Sequence, residues 1–420
     1  MPKMKSIPTS RWLHVVLCVL LLAISLPSGC SQDILKPTDF SGKTPIVRVL
    51  IFQNVPSVVL TAREPPSVKI GASDLSRRVD LPQGTPATLS YTSAGWKMGS
   101  AALGGGEILL LPAAEGSVAI NGHFYRGRYR FVPRANNTFD VVNDVDIEGY
   151  LKGVLSRELF SNFADEAYKA QAVVARTYAL YEKQTHSPGT DFDFFSDDRS
   201  LMYGGISAET PKAVRAVEDT HAVVVAYGPP DHERIFKAYF SSCCGGRGQS
   251  AAEAFGDPVT PPLSAQAVGN LCSESPRFTW PTVAVSKPEL TRRFVHFGQL
   301  HNMAEKDLAL VSRIDVLSVN AVGRPVLFTI TDVRGRRFAI NGEELRRAVN
   351  TDCTPTTKLS SSLFQLDNEP GEIRFINGHG LGHGVGMCQW CAQRRAEMGM
   401  TYQNIVLLAY PQSKIVRADY

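Results

Sequence analysis

Asp146-Ile-Glu-Gly-Tyr-Leu-Lys-Gly-Val-Leu-Ser-Arg-Glu-Leu159 reads as one helix with a carboxylate at the end of its apolar face. Asp146 is placed to cap it, because a carboxylate accepts the free N–H groups of a first turn. Ile147, Tyr150, Leu151, Val154 and Leu155 recur at helical spacing and make a single stripe. At about 100° per residue, Glu158 falls roughly 20° from Ile147, inside that stripe. A carboxylate taken out of water resists ionisation, so its pKa rises. A carboxyl still protonated near neutrality is what a general acid needs. The alternative is a helix that stops near Leu155 and leaves Glu158 solvated.

Downstream, Asp165 to Lys183 reads as a second helix with Asp165 as its cap and Ala167, Ala170, Val173, Val174, Thr177 and Tyr181 facing inward. Lys169 and Arg176 are seven apart and share a side. They form either a cationic grip for a polar substrate or a solvated face. Residues 190–205 are polar and turn-rich, ending in Tyr203-Gly-Gly. Thr210-Pro211 opens a third helix, with Pro at the first helical position. Strands are expected at 222–227 and 235–240, then a loop, Ser241-Ser-Cys-Cys-Gly-Gly-Arg247, in which backbone can approach a ligand closely. Further helices are expected at 290–297, 302–311 and 341–349, the last capped by Asn341, with strands at 314–319 and 326–331. Residues 351–368 read as a Ser/Thr-rich loop.

Upstream, residues 47–142 are short β-forming runs separated by Gly, Pro and Asn, the pattern of an antiparallel module. The fold class expected is therefore α+β: helices with mixed and antiparallel strands over 142–420, preceded by a β-rich module at 46–141. Hydrophobic content of 44% and charged content of 20% are ordinary for a chain with a packed core. The net charge of +4 is dispersed, which gives no case for nucleic acid and suits a polyanionic partner mildly.

Residues 1–30 read as an export signal: Lys3, Lys5 and Arg11, then the apolar run Trp12–Leu26, then Ser28 and Gly29. Cys30 follows in Leu26-Pro-Ser-Gly-Cys30, which resembles a bacterial lipoprotein cleavage box with Pro27 in place of the usual Leu. Cys30 is thus the candidate lipidation site, with plain cleaved export as the alternative. Residues 31–45 read as a tether. The cysteines that remain, Cys243, Cys244, Cys272, Cys353, Cys388 and Cys391, are first read as disulfide partners in an exported chain, with the connectivity open.

Gly378-His-Gly-Leu-Gly-His-Gly-Val-Gly-Met-Cys-Gln-Trp-Cys-Ala392 opens a helix that runs to Met398, with Gly399 in the C′ position and Thr401 capping a last short helix. Its glycines fall on alternate residues, so no frame fits a dinucleotide or phosphate loop. Gly380 stands where a zinc protease helix needs its Glu. Cys388-x-x-Cys391 lacks the βαβ context of a redox motif. Two readings stay open: a turn that delivers His383 and a helix N-terminus to a polar substrate, or a buried turn with a satisfied histidine. The glycines imply close approach of a ligand or of a neighbouring backbone.

Taken together, Tyr150–Glu158 with Ala167–Ala179, then Tyr239-Phe-Ser-Ser-Cys-Cys-Gly-Gly246, then Gly382–Gln389 with Ala392-Gln393 resemble the stage II sporulation protein D family (SpoIID/LytB domain). The resemblance covers about residue 142 onward. It implies lytic cleavage of peptidoglycan glycan strands, with the family's catalytic Glu falling on Glu158. On that reading Glu158 protonates the glycosidic oxygen between N-acetylmuramic acid and N-acetylglucosamine, then deprotonates the sugar's C6 hydroxyl to give an anhydro end. Arg176, Tyr203, Ser242, His383 and Gln389 are the candidates for gripping the sugar. A non-catalytic wall-binding or amidase-enhancer role is also attached to the family. Some members bind zinc in a segment matching Phe194–Gly204, but Phe195, Arg199 and Ser200 stand at the ligand positions, so no metal is expected there. No organic cofactor is implied. Glycan strands, a membrane reached through the lipid anchor and other cell-wall enzymes are the candidate partners.

Overall fold

The computed structural model describes residues 40, 42–63, 69–72, 78–81, 83–185 and 189–420. The export signal, Cys30 and most of the tether lie outside the described residues. No helix among those described is long and apolar enough to cross a membrane.

The fold is built outward from the strand Phe139–Asp146. It is rich in β-branched residues and buried along nearly its whole length, as suits a strand covered on both sides. It pairs antiparallel with Ile46–Val55 on one edge and Arg128–Pro133 on the other. The sheet continues through Ile108–Leu111, Lys69–Ala72 and Arg78–Asp80, and Phe194–Phe195 adds a parallel partner to Ile46–Val55. A second antiparallel sheet of six short strands lies between residues 57 and 124. Side chains from both sheets share one core with the helices that follow, among them Leu60, Trp96, Phe131, Val145, Tyr150 and Leu155. The boundary expected between residues 141 and 142 therefore falls inside a strand, and the β module and the helical region are packed as one body.

At Asp146 the chain turns from extended backbone into α1 (Ile147–Glu158), and the Asp146 carboxylate accepts from the Gly149 N–H at 2.8 Å. The expected cap and apolar stripe are both present. α2 (Asp165–Thr185) lies against it. Asp165 is the first helical residue rather than the cap, since the carbonyl before it, of Ala164, takes the first helical bonds. α3 (Pro211–Asp219) starts as expected, with the Thr210 hydroxyl accepting from Ala213. α4 (Ala251–Phe255) is a short helix with a capping box.

Residues 279–379 carry a second core of their own. α5 (Lys287–His301) and α6 (Gly342–Asn350) cover a sheet of Val311–Val319, Pro325–Asp332 and Arg337–Asn341, beside another containing Leu363–Asn368 and Glu372–His379. Leu290, Phe294, Phe328, Ile340 and Phe375 fill the space between. The helix expected at 302–311 is absent. Asn302 takes a left-handed conformation that ends α5, and only a 3₁₀ turn follows before the strand. α7 (Gln389–Glu397) and α8 (Tyr402–Ala409) pack back on α2. Thr401 does not cap α8 through its side chain. The Glu166 carboxylate does so from α2, accepting from Tyr402 N–H at 2.6 Å.

Candidate active site around Glu158

Glu158 is the last residue of α1 and is half-buried. Its Oε1 accepts from the Met202 N–H at 3.0 Å. The Gln389 amide, at the first position of α7, also donates to it. Burial raises the Glu158 pKa above the usual carboxylate range and outweighs the two hydrogen bonds that lower it. The perturbing groups include no second carboxylate. The hydroxyls of Tyr150 and Tyr178 lie within its field: burial pushes each up first, and then Tyr178 and Glu158 act on Tyr150 while Glu182 and Glu158 act on Tyr178. The Tyr150 hydroxyl is buried and has no hydrogen-bond partner within the protein.

An aromatic group stands beside the carboxylate. Phe160, two residues beyond Glu158, is 56% exposed. Its ring lies 5.6 Å from Phe163 and 5.7 Å from Trp390, the neighbour of Gln389. An exposed aromatic ring two residues past a half-buried acid suits the C–H faces of a sugar ring. Sequence reasoning missed Met202, Tyr150, Tyr178 and Phe160. Phe160 was visible as an apolar residue just past the helix end.

The structure brings Gln389 to Glu158 but not the other expected grips. Arg176 is fully buried, and its Nε and Nη2 donate to Glu148 at 2.9 and 2.6 Å. Its Nη1 donates to the Val223 carbonyl at 3.0 Å. It is an interior ion pair, and only Lys169 of the expected cationic pair reaches the surface, where it meets Glu166 and Asp219. Tyr203 is buried, with its hydroxyl donating to Asn143 Oδ1 at 2.9 Å and its ring against Tyr150. It props up the helix bearing Glu158. His383 is the satisfied histidine of the bland alternative. Its Nδ1 accepts from Val385 N–H at 3.0 Å, its ring N–H donates a hydrogen bond to the Phe240 carbonyl, and Tyr239 and Phe255 enclose the ring. Burial lowers its pKa to about 4, so it is neutral across the physiological range. Ser242 is half-buried, and its carbonyl accepts from the Trp390 N–H at 3.2 Å, holding the start of α7.

Gly245 and Gly380 let backbone meet backbone, whereas Gly378 and Gly384 make room for the Trp280 ring and the Arg324 guanidinium. A Cβ on Gly245 would stand 2.8 Å from the His379 carbonyl carbon, and one on Gly380 would stand 2.7 Å from the Cys243 oxygen. Cys243 and Leu381 exchange hydrogen bonds at 3.0 and 2.8 Å across this contact. Among the described residues no cysteine is disulfide-bonded, contrary to the first expectation. Instead the sulfurs of Cys244, Cys272, Cys388 and Cys391, all buried, lie within 4.8 Å of one another. No motif spacing in the sequence assembles this set of four.

A family model described as Stage II sporulation protein, SpoIID, matches residues 135–227, which run from the central strand through α1, α2 and α3. An uncharacterised protein of Brachyspira hyodysenteriae is 31% identical over 72% of this chain and 74% of its own length. The Amidase enhancer of Bacillus subtilis is 25% identical over 62% of this chain, a match spanning 39% of that protein. Stage II sporulation protein D of Bacillus subtilis is 28% identical over 66% of this chain and 76% of its own length. An α+β protein with a half-buried acid at a helix end and these relatives, the chain belongs to the SpoIID family.

Proposed function

We propose that this protein cleaves peptidoglycan glycan strands as a lytic transglycosylase, with Glu158 as acid and then base. The carrying observation is a single carboxylate whose pKa is raised by burial and whose position is held by Met202 and Gln389. Protonated Glu158 gives its proton to the glycosidic oxygen as the C1–O bond breaks, and the electron pair leaves with that oxygen. The Glu158 carboxylate then takes the proton of the C6 hydroxyl as O6 bonds to C1, which closes a 1,6-anhydro ring. Glu158 returns protonated, and no water is consumed. Hydrolytic glycosidases use two carboxylates on either side of the bond. A nucleophile supplied by the substrate removes the need for the second. The Phe160–Trp390 surface supports a sugar chain at this position, and Gln389 supplies the amide that fixes the acid. We place the working protein in the cell envelope, exported by residues 1–30 and anchored through Cys30.

The similarity to a protein named Amidase enhancer favours a second reading, in which the same surface binds wall glycan and no bond is cut. Digestion of purified peptidoglycan, intact and peptide-stripped, by wild type and Glu158→Gln separates the two. Anhydro-ended fragments from wild type alone are expected. Reducing ends would replace the transglycosylase with a hydrolase. Binding by both proteins with cleavage by neither would establish the enhancer reading.

A further inference from the structure

We propose that Cys244, Cys272, Cys388 and Cys391 form a tetrahedral thiolate site for one zinc(II) ion, which fixes the first turn of α7 beside Glu158. Four metal–sulfur bonds of about 2.3 Å around one ion set sulfur–sulfur edges of about 3.8 Å. Here Cys244 and Cys272 have sulfurs 3.7 Å apart, and Cys244 and Cys391 have theirs 4.0 Å apart. All four lie within 4.8 Å. That is far beyond a disulfide bond of about 2.05 Å. It is also too tight a set to enclose several irons and sulfides. An S₄ tetrahedron suits zinc or a single iron, and zinc alone of the two has no redox chemistry to lose in an oxidising compartment.

The surroundings fit a thiolate centre as well as the sulfurs do. The N–H groups of Cys244 and Cys391 both point to Cys388 Sγ at 3.4 Å, the kind of backbone donor that holds a ligating sulfur in place. Four thiolates around Zn²⁺ leave a charge of about −2. Arg324 answers it from below. It is fully buried, donates to the carbonyls of Cys244 and Arg247 at 3.4 and 2.9 Å, and stands 4.0 Å from Glu343.

The ligands come from three separate segments: the Ser242–Gly246 loop, the turn at Cys272, and α7 with the residue before it. Between Cys388 and Cys391 sit Gln389, which bonds Glu158, and Trp390, which packs both on the cysteine group and against Phe160. Trp390 N–H also bonds the Ser242 carbonyl on the ligand loop. The ion therefore acts as a clamp under the acid and the sugar platform, and takes no part in bond breaking. The metal site stands whether or not Glu158 cleaves glycan.

Full-length protein, purified without chelators, is to be assayed for zinc and iron by mass spectrometry. One zinc per chain is expected. An organomercurial should release it while titrating four thiols together, and cobalt(II) exchanged for it should show thiolate-to-cobalt charge-transfer absorption. Cys391→Ser should lose the metal, whereas Cys353→Ser should keep it. Removing zinc from wild type should shift Trp390 fluorescence, a change absent in Trp390→Phe. Wild type that is metal-free, or lighter by the four hydrogens of two disulfides among these cysteines, would overturn the site. Iron in place of zinc would overturn the zinc assignment. Zinc removal without a fluorescence change would overturn the clamp. The wild-type readings decide the matter even if a cysteine variant fails to fold.

Discussion

Glu158 shows how one position carries both a cost and a use. Its folded pKa lies above the unfolded value of about 4.3 because burial outweighs the bonds from Met202 and Gln389. The sign follows from proton binding: the folded state holds this proton more tightly than the unfolded state. Its stabilising contribution is thus complete below the unfolded pKa and is lost as pH rises through the folded value. Above the unfolded pKa the buried acid weighs against folding, so Glu158→Gln should melt at or above the wild-type temperature in calorimetry at neutral pH. The same substitution should lower glycan cleavage by roughly 10²–10⁴-fold, the usual worth of a positioned acid–base group. Wild-type cleavage should fall as pH rises past the raised pKa, since the first step needs the proton. A variant that melts lower and still cleaves would remove Glu158 from the mechanism.

Among the elements, α1 was open to sequence reading because its signals are local. Asp146 caps three residues ahead, and five apolar residues keep one period. The α7 start was half-legible. Glycines at alternate positions announced a close approach, and the approaching groups proved to be several: the Trp280 ring at Gly378, the Cys243–Gly245 backbone at Gly380, the Arg324 guanidinium at Gly384 and the Tyr239 carbonyl at Gly386. No spacing in the chain shows that Cys272 closes on the same point, because long-range pairing leaves no periodic trace. Arg176 misled for the related reason that its partner Glu148 lies on another helix. The contact of loop against loop gives a test. Gly380, at φ 85°, has the Cys243 oxygen 2.7 Å from a would-be Cβ, whereas Gly399, at φ 82°, faces open space. Gly399→Ala should cost only the left-handed conformation, about 1–2 kcal/mol. Gly380→Ala should cost more, because the Cys243–Leu381 hydrogen bonds must move as well. Equal losses in chemical denaturation would mean the two loops are not tightly opposed.

Across the whole molecule, α1, α2, α3, the strand Val223–Tyr227 and Tyr420 meet around the Glu148–Arg176 pair. Glu148 is pushed up by burial, but the Arg176 charge and hydrogen bonds outweigh this and leave its pKa below the usual range. The Tyr420 hydroxyl and the Ala222 N–H add to it at 2.8 and 3.2 Å. Arg176 in turn donates to carbonyls at Val217 and Val223, so the pair ties α1 and α2 to α3 and to the strand Val223–Tyr227. For a depressed carboxylate the contribution is present above the unfolded pKa of about 4.3 and is lost as pH falls through the folded value. Arg176→Met leaves a carboxylate buried without its partner and should cost about 3–5 kcal/mol at neutral pH. Glu148→Leu combined with Arg176→Met removes both charges and should recover most of that loss. The double variant should also lose less stability than wild type between about pH 5 and pH 3, because it no longer has this proton to take up on unfolding. Denaturation of the three proteins across that range decides it. If the double variant is as unstable as the single one, the pair's value lies in the Arg176 bonds to backbone carbonyls rather than in its charge. If Arg176→Met is neutral, the guanidinium is not buried as described, and the grip on substrate first read from the sequence returns.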